Sequence, residues 1–223
     1  AHFDLFGRHS DDVLIDLLAD SGTGAMSAAQ WSAVMRGDES YAGSPSFYRF
    51  LAAVQGLMPF RHVIPTHQGR AAEAILFSIL GGAARVIPSN THFDTTRGNI
   101  EATGAEALDL PCAEAADFSS AFPFKGNMDL AALAQLLERR GADVPCVMIT
   151  LTNNAGGGQP VSLGNLRAVR ALAQRHGKAL IIDGCRFAEN AWFVKQREAG
   201  QQARSVREIV HETFSLADGM TMS

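Results

Sequence analysis

The pattern that decides the fold is VPCVMITLTNNAGGGQPVSLGNLRAVRALAQRHGKALIIDG, residues 144–184. Its two ends, 144–152 and 178–184, are rich in apolar residues, as in strands that are buried on both faces. Between them, Ser162 is placed to cap a helix that stops at Gly177. A strand, a helix and a second strand in succession predict two parallel strands covered by the helix.

The same alternation extends to both sides of this segment. Further strands are predicted at 61–66, 84–89 and 220–223. Further helices are predicted at 68–80, at 129–140 with Asn127 or Asp129 as cap, at 189–199 and at 205–216. The chain is therefore predicted to have an α/β fold, a mostly parallel sheet with helices on both faces. We assign residues 47–223 to this large domain and residues 1–46 to an N-terminal arm.

Composition excludes several classes of protein. Hydrophobic residues make up 47% and charged residues 19%, which is typical of a folded protein. The net charge of -4 gives no reason to expect binding to nucleic acid or to an anionic membrane. No apolar run reaches the roughly 18 residues that span a bilayer, and the N-terminus lacks the pattern of a signal peptide. The widely spaced Cys112, Cys146 and Cys185 predict reduced thiols in a cytoplasmic protein rather than a disulfide framework or a zinc site.

Ligands of such sheets bind outside the carboxyl ends of the strands. Four segments follow predicted strands there: 66–70, 90–96, 152–158 and 183–186. The first, THQGR, opens a helix and suits an anion, although a plain tight turn explains the same residues. In the second, Phe93 is either a partner for a flat ring or a core residue beside a capped helix. The third has two amides and three glycines, which indicates close approach to a ligand or a long flexible turn.

The fourth segment, IIDGCR, places Asp183 after three apolar residues. A buried carboxylate needs a cation. Arg186 is one candidate, in a simple ion pair, and the protonated ring nitrogen of pyridoxal phosphate is the other. That cofactor also requires a lysine. Lys125, Lys178 and Lys195 are the lysines of the chain, and none of them is well placed at a predicted strand end.

Five groups of residues, in order along the chain, resemble the β-eliminating lyases, the family of tryptophanase and tyrosine phenol-lyase. The groups are IDLLADSGTGAMS (15–27); MRGDESYAGS (35–44); IPTHQGRAAE (64–73); FKGNMDL (124–130) with GGGQPVSLGNLRAV (156–169); and RFAENAWFVKQREAG (186–200) with ADGMTMS (217–223). The resemblance implies an aspartate-aminotransferase-like, fold type I pyridoxal-phosphate large domain in a homotetramer. Residues 1–46 would then include part of the small domain.

The resemblance also implies roles for single residues. Asp183 would contact the ring nitrogen of pyridoxal phosphate, Phe93 would stack on the ring, and Asn154 and Arg186 would hold its phenolic oxygen. The cofactor phosphate would be bound by Gln68, Gly69, Arg70 and Ser223. A potassium ion would be held by the backbone of Gly22 and by Glu39. Tyr41 would donate a proton to the leaving aromatic group, and Asp94 would accept the indole N–H.

In that family the Schiff-base lysine lies a few residues after the position of Ser223, so the native chain is expected to continue beyond it. One departure concerns Ala19, where the family has a threonine that helps bind the substrate carboxylate. The loss of such a hydrogen bond to a charged group is worth about 1.5–3 kcal/mol. A second departure is GRAAE at 69–73, where the family has GRGAE.

The implied reaction is β-elimination of an aromatic L-amino acid, with tryptophan giving indole, pyruvate and ammonia. Asp94 favours tryptophan within the family. The alternatives are a lyase for tyrosine or for another amino acid accommodated through Ala19, and a non-catalytic relative that binds the cofactor or serves in assembly. A nucleotide-binding domain is disfavoured because no GxGxxG or Walker pattern follows a strand.

Overall fold

The structure is a computed structural model, and it describes residues 7–12, 24, 26–38 and 43–223. The chain divides into two compact units, Ala1–Tyr48 and Arg49–Ser223, and each is described by itself. The functional division predicted between 1–46 and 47–223 stays a prediction. In the part of the chain that is described, no helix has the length and apolar character needed to cross a membrane.

The described part of the first unit is helical. A short 3-10 helix covers Ser10–Asp12, and α1 covers Ala28–Met35. Ser27 begins α1 with a capping box, in which its side chain accepts from the Gln30 N–H and the Gln30 side chain accepts from the Ser27 N–H. Helix α2 covers Pro45–Gln55.

The second unit contains the parallel strands. They are β1 (Val86–Ser89), β2 (Glu106–Asp109), β3 (Cys146–Thr150), β4 (Ala179–Asp183) and β5 (Gly219–Thr221). Strands β1 and β2 form one parallel pair, and β3, β4 and β5 form a three-stranded parallel sheet in that order. The two sheets meet where β1 lies beside β3. This confirms the strands predicted at 84–89, 144–152 and 178–184, and β5 overlaps the strand predicted at 220–223 but begins one residue earlier, at Gly219.

Six helices follow α2 in the described chain. They are α3 (Gly69–Leu80), α4 (Asp94–Glu101), α5 (Leu130–Arg140), α6 (Leu163–Arg175), α7 (Phe187–Arg197) and α8 (Val206–Ser215). The Asp129 side chain accepts from two backbone N–H groups at the start of α5, and Ser162 accepts from the Asn165 N–H at the start of α6. Of the two caps considered for α5, Asp129 is therefore the correct one.

Separate apolar cores cover the two faces of the three-stranded sheet. Val147 and Ile149 of β3 pack into one core with residues of α5 to α8. Cys146 and Met148 pack into the other with residues of α3 and α4. Alternate residues of one strand point to opposite faces, so the strand is buried on both faces of the sheet. Helices on both faces of a parallel sheet confirm the predicted fold class.

The sequence reading was wrong in one segment and incomplete in another. Residues 61–66 form no strand, and the side chain of Ile64 is 82% exposed, so its apolar character does not reflect burial in a sheet. Helix α4 and strand β2 were not predicted as elements. Strand β2 is EALD, whose burial is uneven along its length, so it lacks the continuous apolar run that identified β3 and β4.

Candidate active site

A row of polar side chains lies at the carboxyl ends of the three paired strands. Thr150 on β3, Asp183 on β4 and Thr221 on β5 are neighbours in the strand register. They continue the face of the sheet that packs against α3 and α4. All three are buried, and neither threonine hydroxyl has a hydrogen-bond partner in the part of the chain that is described. Buried polar atoms are normally satisfied, so this row can offer hydrogen bonds to a ligand.

Asp183 is the acidic member of the row, and it is 7% exposed. The backbone N–H of Cys185 donates to its Oδ1 at 3.2 Å. Burial raises the pKa of the Asp183 carboxyl, and the hydrogen bonds from Cys185 and the charge of Arg186 act against this rise. A buried carboxylate is stabilised by a facing cation, and the protonated nitrogen of a pyridine ring is such a cation.

Thr152 links the segments that follow β3 and β4. Its backbone lies in the left-handed region, with φ of 50°, which is strained for a β-branched residue. Its hydroxyl has one hydrogen to donate, to the Leu151 carbonyl at 2.9 Å or to the Arg186 carbonyl at 3.4 Å. The Arg186 Nη1 donates in return to the Thr152 carbonyl at 3.4 Å. These contacts hold Arg186 beside the strand end that carries Asp183.

The start of α3 lies against the segment that follows β5. A Cβ added to Gly69 would be 2.6 Å from the Cβ of Ser223 and 3.0 Å from the Met222 carbonyl oxygen, so only glycine fits without a shift. Gln68 is the N-cap residue, in an extended conformation with no side-chain capping bond, and Gln68 and Arg70 are both exposed. Free N–H groups at a helix start attract anions. The predicted phosphate residues Gln68, Gly69, Arg70 and Ser223 are thus adjacent.

The loop after β1 is tied to the loop after β3 by two asparagines. The Asn90 side chain accepts from the Thr150 N–H at 2.9 Å and donates to the Thr150 carbonyl at 3.0 Å. The Asn153 amide donates to the carbonyl and the hydroxyl of Thr91 at 3.0 and 2.9 Å. Phe93 follows in this loop as the half-buried N-cap residue of α4. The two loops therefore form one connected rim.

Asp109, at the end of β2, fixes the start of α4. Its Oδ1 lies 2.7 Å from the His92 Nδ1 and accepts from the His92 N–H at 2.8 Å. Its Oδ2 accepts from the Arg97 guanidinium at 2.6 Å. Asp94 is exposed in the first turn of α4, and its Oδ1 accepts from the Thr95 N–H at 2.6 Å. The carboxylate of Asp94 therefore has an exposed position beside the rim.

The loop after β3 contains the glycines that the sequence singled out. A short 3-10 helix covers Asn154–Gly156, and the Asn154 side chain lies outside the described part of the structure. Gly157 and Gly158 have φ of 73° and 68°, so their backbone conformation requires glycine. Asn153, at the start of this loop, accepts the Gly158 N–H through its carbonyl at 2.9 Å. The loop is therefore a defined turn that folds back on Asn153.

The lysine side chains bind backbone carbonyls outside the polar row or lie at the other end of the sheet. Lys125 donates to the Asp117 carbonyl at 2.6 Å, and Lys178 immediately precedes β4, at the amino end of the sheet. Lys195 donates to the carbonyls of Gln202 and Arg204, so it secures the turn after α7. A lysine in a charged helix is ordinarily solvated, whereas Lys195 is half-buried.

Several predicted residues fall outside the described residues: Ala19, Gly22, Glu39 and Tyr41. The predicted potassium ligands and the predicted proton donor therefore have no structural description. Within the residues that are described, no group of three or more His, Cys, Asp or Glu side chains is arranged to hold a metal ion.

Sequence reasoning missed one acidic residue of the site, Glu73. It is 5% exposed on the inner side of α3, and the Thr96 hydroxyl donates to its Oε1 at 2.5 Å. The signal was present in the sequence, since Gly69, Glu73 and Phe77 recur at intervals of four and so share one face of the helix. In the sequence, Glu73 was treated only as the last residue of the motif GRAAE, and it was given no role of its own.

The residues fit pyridoxal phosphate. Asp183 and the two threonines beside it are buried polar groups at the strand ends, and the free N–H groups at the start of α3, next to Ser223, suit an anion. Their chemistry matches a ring with a cationic nitrogen and an attached phosphate.

Comparison with known proteins supports the same class of protein. The sequence profile named Beta-eliminating lyase matches residues 16–223. The chain belongs to the β-eliminating lyase family. It is 72% identical to a tryptophanase from Rhodobacter capsulatus over 223 residues, which are all of this chain and 49% of that protein. It is 48% identical to a tyrosine phenol-lyase from Symbiobacterium thermophilum over 224 aligned positions, again all of this chain and 49% of that protein.

The fold of this family member is also found in solved structures of low sequence identity. An alanine aminotransferase from Pyrococcus furiosus aligns with a TM-score of 0.52 at 14% identity. The alignment covers 69% of this chain and 38% of that one. At this identity the likeness concerns the fold alone, and it agrees with the aspartate-aminotransferase-like fold that the resemblance implied.

Proposed function

We propose that this chain is the cofactor-binding part of a pyridoxal-phosphate-dependent carbon–carbon lyase that acts on an aromatic L-amino acid. The chain spans about half the length of the curated relatives it matches. The activity is therefore proposed for the whole protein that carries it. The observation that carries the proposal is the buried row of Thr150, Asp183 and Thr221 at the strand ends.

Residues of three strand ends would hold the cofactor. The Asp183 carboxylate would face the ring nitrogen and keep it protonated, with Thr150 and Thr221 on either side. Gln68, Gly69, Arg70 and Ser223 would bind the phosphate, where the helix start and the arginine both favour an anion. Arg186, beside Asp183, and Asn154 would bind the phenolic oxygen, and Phe93 would lie against the ring. When bound, pyridoxal phosphate supplies an electron sink for negative charge at the substrate's α-carbon.

Asp94 would handle the aromatic part of the substrate. Its carboxylate is exposed on the first turn of α4, in the helix that Phe93 begins. There it can accept a hydrogen bond from an indole N–H, and the bond would strengthen as charge develops in the ring. Tyr41 would donate the proton to the leaving aromatic group. Gly22 and Glu39 would hold K⁺, and a cytoplasmic homotetramer is expected.

Tryptophan is the proposed substrate, and indole, pyruvate and ammonia are the proposed products. The higher identity to a tryptophanase than to a tyrosine phenol-lyase supports this choice, and so does Asp94. Ala19 supports the alternative of tyrosine or another amino acid. A non-catalytic cofactor-binding relative is the alternative of another class.

The test is a titration of the full-length protein with pyridoxal phosphate, followed by borohydride reduction and intact-mass analysis. We expect a covalent pyridoxyl adduct, and release of indole rather than phenol in assays with tryptophan and tyrosine. Phenol release would favour the tyrosine enzyme, and pyruvate without either aromatic product would indicate a different substrate. Reversible binding with no adduct and no product would favour the non-catalytic relative, and no binding at all would contradict the proposal.

A further inference from the structure

The inner stripe of α3 runs along the same face of the sheet as the polar row. Phe77 packs with Met148 and Ile181 in the core under α3 and α4. One helical turn earlier is Glu73, and one turn before that is Gly69, which contacts Ser223 beyond β5. Along β4, the next residue on the face of Ile181 is Asp183. Glu73 therefore lies at about the same height along this face of the sheet as Asp183.

Glu73 is surrounded mainly by neutral groups. The Thr96 hydroxyl and the Asn99 amide of α4 contact its carboxyl. Burial raises the pKa of Glu73, the hydrogen bond from Thr96 acts against this rise, and the neighbouring Asp183 carboxylate adds to it. The charged groups that face Glu73 are thus Asp183 from β4 and Arg70 from α3. Arg70 is exposed, so solvent screens its charge.

The two carboxyls differ in what stabilises their charge. Asp183 accepts a backbone N–H at 3.2 Å and lies near the half-buried Arg186. Glu73 accepts from a hydroxyl at 2.5 Å, a bond that favours the charged form but that a neutral carboxylic acid can still accept through its carbonyl oxygen. Two buried carboxyls whose charges repel each other do not both ionise readily. Because Asp183 has a backbone N–H and the charge of Arg186 beside it, we expect Asp183 to lose its proton first and Glu73 to keep its proton to higher pH.

We propose that Glu73 is a positioning residue of the cofactor site, whose carboxyl holds a proton beside Asp183, so that Asp183 is the single carboxylate that faces the ring nitrogen of pyridoxal phosphate. This inference rests on the proposed function and deepens it. A neutral Glu73 adds a buried polar group without a second charge. The ring nitrogen then meets a site with one negative charge, which its own positive charge balances.

The test follows the protonation of Glu73 directly, by ¹³C NMR of the full-length protein with labelled glutamate carboxyls. The signal of Glu73 is identified by its loss in Glu73→Gln. In the cofactor-free protein we expect its titration midpoint to lie above the ordinary glutamate value and to fall in Asp183→Asn. Thr96→Val removes the hydrogen bond that favours the charged form, so the midpoint rises. The matched control Thr95→Val, one residue away on α4, leaves the midpoint unchanged.

Cofactor affinity supplies the second measurement. A glutamine resembles a protonated glutamate, so Glu73→Gln is expected to change the Kd for pyridoxal phosphate by less than about threefold. Asp183→Asn removes a charged partner of the ring nitrogen and is expected to weaken binding by about tenfold or more. With the cofactor bound, we expect the titration midpoint of Glu73 to stay above the ordinary glutamate value.

The outcomes separate the inference from the proposed function. An ordinary midpoint for Glu73, or a Glu73→Gln variant that binds as weakly as Asp183→Asn, overturns the role of Glu73 while the cofactor site stands. Unchanged binding in Asp183→Asn overturns the cofactor site as proposed, and the role of Glu73 falls with it. If Glu73 and Asp183 titrate as a coupled pair but the protein does not bind pyridoxal phosphate, the cofactor site is likewise overturned, and the role of Glu73 with it.

Discussion

The two faces of the three-stranded sheet use adjacent residues for opposite purposes. Ile149 and Ile182 point to one face and are fully buried in a continuous apolar core. Thr150 and Asp183, one residue further along each strand, point to the other face, where they bring buried polar atoms together. The first pair stabilises the fold. The second pair costs folding free energy, because these buried polar groups are not fully paired by hydrogen bonds or opposite charges. The difference indicates that one face serves stability and that the end of the other serves binding.

The largest expected effect is on the apolar face. Ile149→Ala leaves a cavity among residues that are fully buried, and it is expected to lower the free energy of unfolding by about 2–5 kcal/mol. Denaturant unfolding of the cofactor-free protein measures this change. A loss of less than about 1 kcal/mol would show that this face is not the stabilising one.

The next effect concerns the start of α3. Gly69→Ala places a methyl group 2.6 Å from the Ser223 Cβ, and such overpacking is expected to destabilise the protein by about 1–3 kcal/mol and to weaken cofactor binding. The matched control is Gly98→Ala in α4, where an added Cβ meets nothing within 4 Å. There alanine is expected to stabilise the protein by about 0.4–1 kcal/mol. Equal effects of the two substitutions would contradict a tight contact at Gly69.

A smaller effect, with a characteristic pH dependence, is expected for Asp183→Asn. The folded protein holds the Asp183 proton above pH 3.8, the ordinary value for this group, whereas the unfolded chain releases it there. Stability therefore falls as pH rises from 3.8 through the raised pKa of the folded state. Asparagine has no proton to lose, so Asp183→Asn removes this loss of stability. The substitution is expected to raise the free energy of unfolding by about 1 kcal/mol at neutral pH. Denaturant unfolding at a series of pH values measures the slope.

Asp218 provides a control of opposite sign. Despite partial burial, hydrogen bonds from Arg170 and the Leu180 N–H hold the pKa of Asp218 below its ordinary value. Its contribution to stability is present above that ordinary value and is lost as pH falls through the lowered pKa. Asp218→Asn should therefore destabilise the protein at neutral pH. The same direction of change in Asp183→Asn would contradict the cost assigned to the buried Asp183.

The smallest effect is expected for Thr150→Val. This change replaces a buried hydroxyl that has no described partner with a methyl group of similar shape. We expect the free energy of unfolding to stay the same or rise by less than about 1 kcal/mol, while cofactor affinity decreases. Calorimetry with and without pyridoxal phosphate separates the two quantities. A clear loss of stability without cofactor would show that the hydroxyl serves the fold.

The predictable parts of the structure are those where one local signal dominates. The apolar runs of β3 and β4 identified the sheet, and the acid after the second run identified Asp183 as a strand-end group. The signal was misleading at 61–66, where an apolar run with an exposed Ile64 forms no strand. Whether such a run is buried depends on partners that are distant in sequence.

The site was predicted less completely than the fold, because its contacts join distant segments. Glu73 accepts a hydrogen bond from Thr96 of another helix, and its pKa is raised by the charge of Asp183, on a strand more than a hundred residues later. The bridge from Asn90 to Thr150 spans 60 residues. The spacing of residues within one segment of the sequence carries no information about pairs of residues that are distant in sequence. The roles given to single residues by resemblance remain predictions until binding is measured.

The Asn90 bridge has a consequence for amide hydrogen exchange. The Thr150 N–H donates to a side-chain oxygen at 2.9 Å instead of a backbone carbonyl of β1. Its protection against exchange therefore depends on one side-chain rotamer rather than on the ladder of a neighbouring strand. In an exchange experiment, the Thr150 amide would exchange whenever the Asn90 side chain turns away, while the other amides of β3 and the amides of β4 stay protected. Its exchange rate would therefore measure how often the junction between the two sheets opens.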